Sequence, residues 1–232
     1  MAALSIQRFA DLEQLSGAAA AEFCRVAREA VAERGSCAVA LSGGSTPRRL
    51  FQLLADEPYL GQVDWSHIEI FWSDERAVEP NSPDSNFKMA KDALLDRLRL
   101  APRQVHRMQA ERSDCDAAAL DYEKEIASVL SGGGVPSEST PAMDLVLLGM
   151  GPDGHTASLF PETAALVETR RWVVANQVPK LGAERMTMTA PYLNSSRHVF
   201  FLVSGADKAE TLRRVLEGPS VPRELPAQLI RT

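Results

Sequence analysis

The sequence predicts an α/β fold: a mainly parallel sheet with helices on both faces. Two observations lead there. Short apolar runs such as CAVALSGG, MDLVLLGMG and HVFFLVSG each end at a serine or glycine, as buried strands do. Between such runs lie longer segments with apolar residues at helical spacing, and this alternation is that of strand–helix–strand units.

In order, residues from about Asp11 to Arg34 are Ala-rich, with Leu15, Phe23, Val26, Ala27 and Ala30 at helical spacing and Gly35 as a stop. CAVALSGG reads as a buried strand running into a glycine turn, and TPRRLFQLLAD as the next helix, with Thr46 as N-cap and Pro47 at the first helical position. HIEIFWSDER is read as one strand with a charged end, NFKMAKDALLDRL as a helix, QVHRM as a short strand and Asp114 to Leu130 as a helix. SGGGVPSESTP is a surface connection of low complexity. MDLVLLGMG then resumes the alternation; strands at WVVANQV, RMTMTA and HVFFLVSG and a helix at DKAETLRRVLE complete it. There is no internal repeat.

Composition narrows the function. With 232 residues, 45% hydrophobic and 24% charged, the chain is of globular type and long enough for a substantial core. A net charge of -6 argues against general nucleic-acid binding and requires that any anionic ligand be held by a local cluster of cations. No apolar run is long enough to span a bilayer, and the N-terminus shows no secretory signal. Cys24, Cys37 and Cys115 are odd in number and widely spaced, as expected of reduced thiols in a cytoplasmic protein.

In sheets of this kind ligands bind beyond the carboxyl ends of the strands. Three marked loops sit there: SGGSTP, SDER and GMGPDGH. In the first, Gly43 and Gly44 permit close backbone approach, Ser45 and Thr46 add hydroxyls, and the following helix aims its free N–H groups at the turn. Those are the ingredients of a phosphate cradle, and equally of a well-capped tight turn; the segment alone leaves both open. Asp74, Glu75 and Arg76 read by default as solvated strand-end charges, Arg76 gaining interest only beside a second anion-binding element.

In the third loop Gly149, Gly151 and Gly154 spell G-x-G-x-x-G. Pro152 lies inside that motif and Pro161 cuts short any following helix, so a dinucleotide fingerprint is rejected. What remains is His155, two residues after Asp153: a candidate base that can take a proton from water and return it, or a loop histidine bonded to backbone. His67, His106 and His198 are taken as structural or exposed. The spacing of His, Asp and Cys suggests no metal site, and Pro47 rules out a G-x-S-x-G nucleophile elbow.

Taken together, LSGGSTP, FWSDERAVEPNSPDSNFKMA, MDLVLLGMGPDGHTASLFP, VPKLGAERMTMTAPYLN and FLVSGADKAETL resemble the 6-phosphogluconolactonases, from about Ala38 to Leu229. The resemblance implies a Rossmann-like sheet, shared with the related glucosamine-6-phosphate deaminases. Where deaminases typically carry D-E-Y, I-A-F-N-E-P and T-V-G-V-G-T, this chain has Asp74-Glu75-Arg76, TASLFP and RMTMTAPYLN, which favours the lactonase. By the same resemblance His155 matches the general base, with Asp153 in its loop. Gly43, Gly44, Ser45 and Thr46, with Asp74, Arg76, Arg185 and Lys208, would hold the substrate, a small phosphosugar lactone, with no cofactor. The deaminase activity is the first alternative, and a non-catalytic sugar-phosphate sensor the second. Family members usually continue past LPAQLI into a further strand and helix, whereas this chain stops at Thr232. The expectation is one domain over residues 1–232, naturally short or truncated, working as a monomer or weak homodimer.

Overall fold

The computed structural model describes residues 4–131 and 140–231. Helix α1 (Leu12–Arg34) begins where the Asp11 side chain accepts from the Gln14 N–H at 2.8 Å and ends at Gly35, whose φ of 79° closes it. Its buried stripe includes Phe23, Val26, Ala27 and Ala30. Strand β1 (Cys37–Leu41) follows and helix α2 (Ser45–Leu54) leaves its far end. Then come β2 (Ile68–Trp72), β3 (Asp74–Arg76), α3 (Asn86–Ala93), α4 (Cys115–Leu130) and β4 (Leu145–Leu148). Strands β5 (Val173–Val178) and β6 (Ala183–Met188), helix α5 (Ala190–Asn194), strand β7 (His198–Phe201) and helix α6 (Ala209–Glu217) follow, with a short 3-10 turn, Pro226–Leu229, near the end.

Four of the strands make the parallel sheet, in the order β2-β1-β4-β7. Every residue of β1 and β4 is buried. Since alternate side chains point to opposite faces, both faces of the sheet centre are covered, as the apolar runs require. The register sets Leu41 beside Trp72 and Leu148 beside Phe201, so the carboxyl ends of all four strands lie along one edge.

Four expectations need correction. HIEIFWSDER is not one strand. At Ser73 the chain changes partners: its N–H donates to the Leu41 carbonyl, beside the parallel sheet, and its carbonyl accepts from the Met188 N–H, both at 2.8 Å. Beyond it β3 joins a separate antiparallel sheet, β3-β6-β5, in which WVVANQV and RMTMTA form a hairpin instead of extending the parallel sheet. QVHRM makes only an isolated bridge, Val105 to Ile70; the Gln104 side chain takes up the Trp65 and Ile68 carbonyls in place of a ladder. Thr46 is not the N-cap of α2. Gly44 is, and the helix starts at Ser45, leaving Thr46 buried within the first turn. The connection SGGGVPSESTP lies largely outside the described residues.

His106 is structural, as read. It is buried, stacked on Phe71 at 4.5 Å, and bonded through its two ring nitrogens to Glu125 (2.7 Å) and Glu69 (3.0 Å). Burial alone would lower its pKa; the two glutamates outweigh that and raise it. No helix among the described residues is long and apolar enough to cross a membrane.

Candidate active site

At the carboxyl edge a cavity of about 210 Å³ opens between the three loops. One wall is the turn after β1. Gly44 has φ 108°, a conformation L side chains rarely adopt, and a Cβ on Gly43 would lie 1.8 Å from the Asn86 Oδ1. Glycine is therefore required at both positions, to start α2 at once and to admit α3 closely. The start of α2 borders the cavity through Ser45 and Thr46, and the first N–H groups of a helix have no partner within it. Ser42 lines the cavity too, with a buried hydroxyl that has no hydrogen-bond partner among the described residues.

The second wall is the loop after β4. It is folded on itself by three hydrogen bonds: Gly151 N–H to the His155 carbonyl (2.9 Å), Gly154 N–H to the Gly151 carbonyl (3.0 Å), and the Thr156 hydroxyl to the Gly149 carbonyl (2.8 Å). The His155 Nδ1 lies 2.5 Å from Oδ1 of Asp153, whose Oδ2 receives the Lys180 ammonium at 2.9 Å. Burial pushes the Asp153 carboxyl up, but the bonds from Lys180 and His155 outweigh it and bring its pKa down to about 2. An ionised carboxylate only accepts, so Nδ1 carries a ring proton, and in the neutral imidazole Nε2 is then the acceptor nitrogen. The ring also stacks on Phe160, centroids 4.0 Å apart at 20°. Its position and tautomer are thus both set, and His155 borders the cavity.

Gly151 makes room for this ring, since a Cβ there would fall 2.1 Å from the His155 Cε1. Gly151→Ala should displace the imidazole without unfolding the sheet. A misplacement of about 1 Å can cost about 10²-fold in rate, and kcat should fall by about that much. Wild-type turnover in a folded variant would mean that the ring position has no bearing on the chemistry.

The third wall comes from β3. Asp74 and Arg76 border the cavity, and Asp74 is buried, accepting from the Ser158 hydroxyl (2.7 Å) and the Asn86 amide (3.3 Å). Glu75, between them, faces the other way. It accepts three backbone N–H groups, from Arg76, Asn86 and Phe87, each at 2.8 Å, and so ties the start of α3 to β3. Arg76 donates to the Asp84 carbonyl and stands opposite Arg185 in the β3–β6 ladder. The Nε atoms of both arginines are buried without a hydrogen-bond partner among the described residues. Burial, and next the Arg76 charge, lower the pKa of Arg185. Two adjacent guanidinium groups with unspent donors are suited to an anion.

Of the residues singled out in the sequence, Gly43, Gly44, Ser45, Thr46, Asp74, Arg76, His155 and Lys208 border the one cavity. Asp153 stands behind His155, and Arg185 beside Arg76; neither borders it. Lys208, in the 3-10 turn before α6, has no ion-pair partner among the described residues. Sequence reasoning missed Ser42, Asn86 and Lys180. Asn86 had a readable signal, the first residue of a helix after the N-cap Ser85 in PDSNF; Lys180 had none, because its partner lies 27 residues away. The three cysteines are free and buried, and burial pushes Cys24 to about 11 and Cys37 and Cys115 to about 12, which leaves no thiolate nucleophile at neutral pH. No group of three or more His, Cys, Asp or Glu among the described residues could hold a metal ion.

The chain belongs to the family of glucosamine-6-phosphate isomerases and 6-phosphogluconolactonases, whose model matches residues 10–232. It is 40% identical over 203 residues to a 6-phosphogluconolactonase of Synechocystis, covering 88% of this chain and 81% of that one. To the 6-phosphogluconolactonase of Mycobacterium tuberculosis it is 38% identical over 228 residues, covering 96% and 90%. Among solved structures, 6-phosphogluconolactonase from Trypanosoma cruzi superposes with a TM-score of 0.80 at 29% identity, over 94% of this chain and 86% of that one. A monomeric glucosamine-6-phosphate deaminase gives a TM-score of 0.79 at 22% identity over 97% and 92%, a likeness of fold alone.

Proposed function

We propose that the chain hydrolyses 6-phospho-D-glucono-1,5-lactone to 6-phospho-D-gluconate, the lactone-opening step of the oxidative pentose phosphate pathway. The observation that carries the reading is the Asp153–His155 pair, with His155 on the border of a cavity that also has a glycine turn and cations. In the proposed reaction Nε2 takes a proton from water as the oxygen attacks C1 of the lactone. The tetrahedral oxyanion is met by cationic or backbone donors at the site, Arg76 among them, and collapses with cleavage of the bond from C1 to the ring oxygen. That oxygen leaves as the C5 hydroxyl, taking back the proton from His155. Asp153 holds the ring in the reactive tautomer and balances its charge while it is protonated. The Gly43–Thr46 turn, Asp74, Arg76, Arg185 and Lys208 hold the phosphate and sugar, which answers how an acidic chain captures an anion.

The deaminase reading has Arg76 against it, since it stands where that activity's tyrosine is expected. We read residues 1–232 as one domain, acting in the cytoplasm as a monomer or weak homodimer. The buried free thiols suit a reducing compartment, although plant relatives are named chloroplastic. Fresh lactone and glucosamine-6-phosphate, each given to the purified protein, test the function. Acid release above the spontaneous rate is expected from the first and no ammonia from the second. Ammonia release would replace the reading with deamination, and inertness toward both would leave a sensor.

A further inference from the structure

Asp153 is held from two sides, and only one of them is its own loop. Lys180 comes from the 3-10 turn Pro179–Leu181 between β5 and β6, in the antiparallel sheet, and that turn closes through Gly182 at φ 56°. Its ammonium meets Oδ2 at 2.9 Å while the His155 Nδ1 meets Oδ1 at 2.5 Å. The carboxylate bridges a cation of one sheet and the imidazole of the other. The remaining charged groups that border the same cavity are Asp74, Arg76 and Lys208.

We infer that Lys180 is a positioning residue for the hydrolysis: by sharing Asp153 it keeps the carboxylate from over-stabilising the protonated form of His155, and so keeps the base in its neutral, working form toward lower pH. This rests on His155 being the base. An unshared carboxylate against an imidazole favours the imidazolium, which cannot take a proton from water. With Lys180 drawing on the same carboxylate that preference is weakened, while the hydrogen bond that sets the tautomer is retained. Lys180 acts through Asp153 alone and does not border the cavity.

The test is the pH dependence of kcat for the full chain, its Lys180→Met and Lys180→Arg variants and His155→Asn, with spontaneous lactone hydrolysis subtracted. Lys180 is 67% exposed, so its replacement leaves the core intact. A charge within about 4–6 Å moves a titration by about 1–3 units, and solvent exposure discounts that here to about half a unit. The acid limb of Lys180→Met should therefore move to higher pH, lowering kcat about threefold at a pH on the limb, since half a unit is about a threefold change in protonation ratio. KM and the high-pH plateau should stay near wild type, and Lys180→Arg should restore the limb. Raising the salt concentration should shift the wild-type limb toward that of the Met variant. An unmoved limb in Lys180→Met, or a raised KM in its place, overturns the inference, as does failure of arginine to restore it. Retained activity in His155→Asn would instead bring down the base assignment itself, a different failure from the first.

Discussion

Replacing His155 by asparagine should lower kcat about 10²–10⁴-fold, the usual contribution of a positioned acid–base group. Asparagine keeps a polar side chain next to Asp153, and the backbone bonds of Gly151 and Gly154 hold the loop whatever stands at 155. What is lost is the Nε2 lone pair. KM should change little, because the groups proposed to hold phosphate lie on other walls. In the unmodified chain kcat should fall as acidification protonates the imidazole. Asp153, brought down to about 2, stays ionised over that whole range and so does not itself make the acid limb. Initial rates must be corrected for spontaneous hydrolysis, which rises with pH and mimics such a limb. Near-normal turnover in a folded His155→Asn protein would mean that water finds another base.

The phosphate should matter almost as much. A charge-assisted hydrogen bond contributes about 1.5–3 kcal/mol, or roughly 10–100-fold in kcat/KM. Lys208→Ala, and Arg185→Ala, should each lose about that much on the phosphorylated lactone. Neither should alter the already poor turnover of unphosphorylated gluconolactone, which cannot use those donors. Steady-state kinetics on the two lactones, for the unmodified chain and both variants, decides it. Equal turnover of the two by the unmodified chain would remove the anchor from the mechanism. Arg185 is the sharper of the two variants, because it stands beside Arg76 without bordering the cavity.

Local pattern carried a reader far along this chain. The first helix from about Asp11, the Gly35 stop, the buried runs of β1 and β4 and the glycine-lined loops are all effects of neighbouring residues, and they are where the spacing puts them. Gly151 and His155 were visible for the same reason. What the pattern hid depends on residues distant in sequence. In IEIFWSDER a serine does follow the apolar run, but the change of partners at Ser73 cannot be read from it; Leu41 on one side and Met188 on the other impose it. QVHRM has the composition of a strand, yet the Gln104 amide, reaching back to Trp65 and Ile68, does a ladder's work with a side chain. Likewise the second partner of Asp153 arrives from a hairpin that belongs to a different sheet.

The single residue between β2 and β3 has a bearing on how this chain can vary. Asp74 and Arg76 border the cavity, and Glu75 turns to the N–H groups at 76, 86 and 87, because side chains alternate along a strand. Adding or deleting one residue at Ser73 would keep both sheets formally possible but exchange the two sides of β3. The glutamate would then face the cavity, and a buried aspartate and an arginine would face the start of α3. Surface loops usually absorb changes of length, yet here one peptide unit works as a phase-setter.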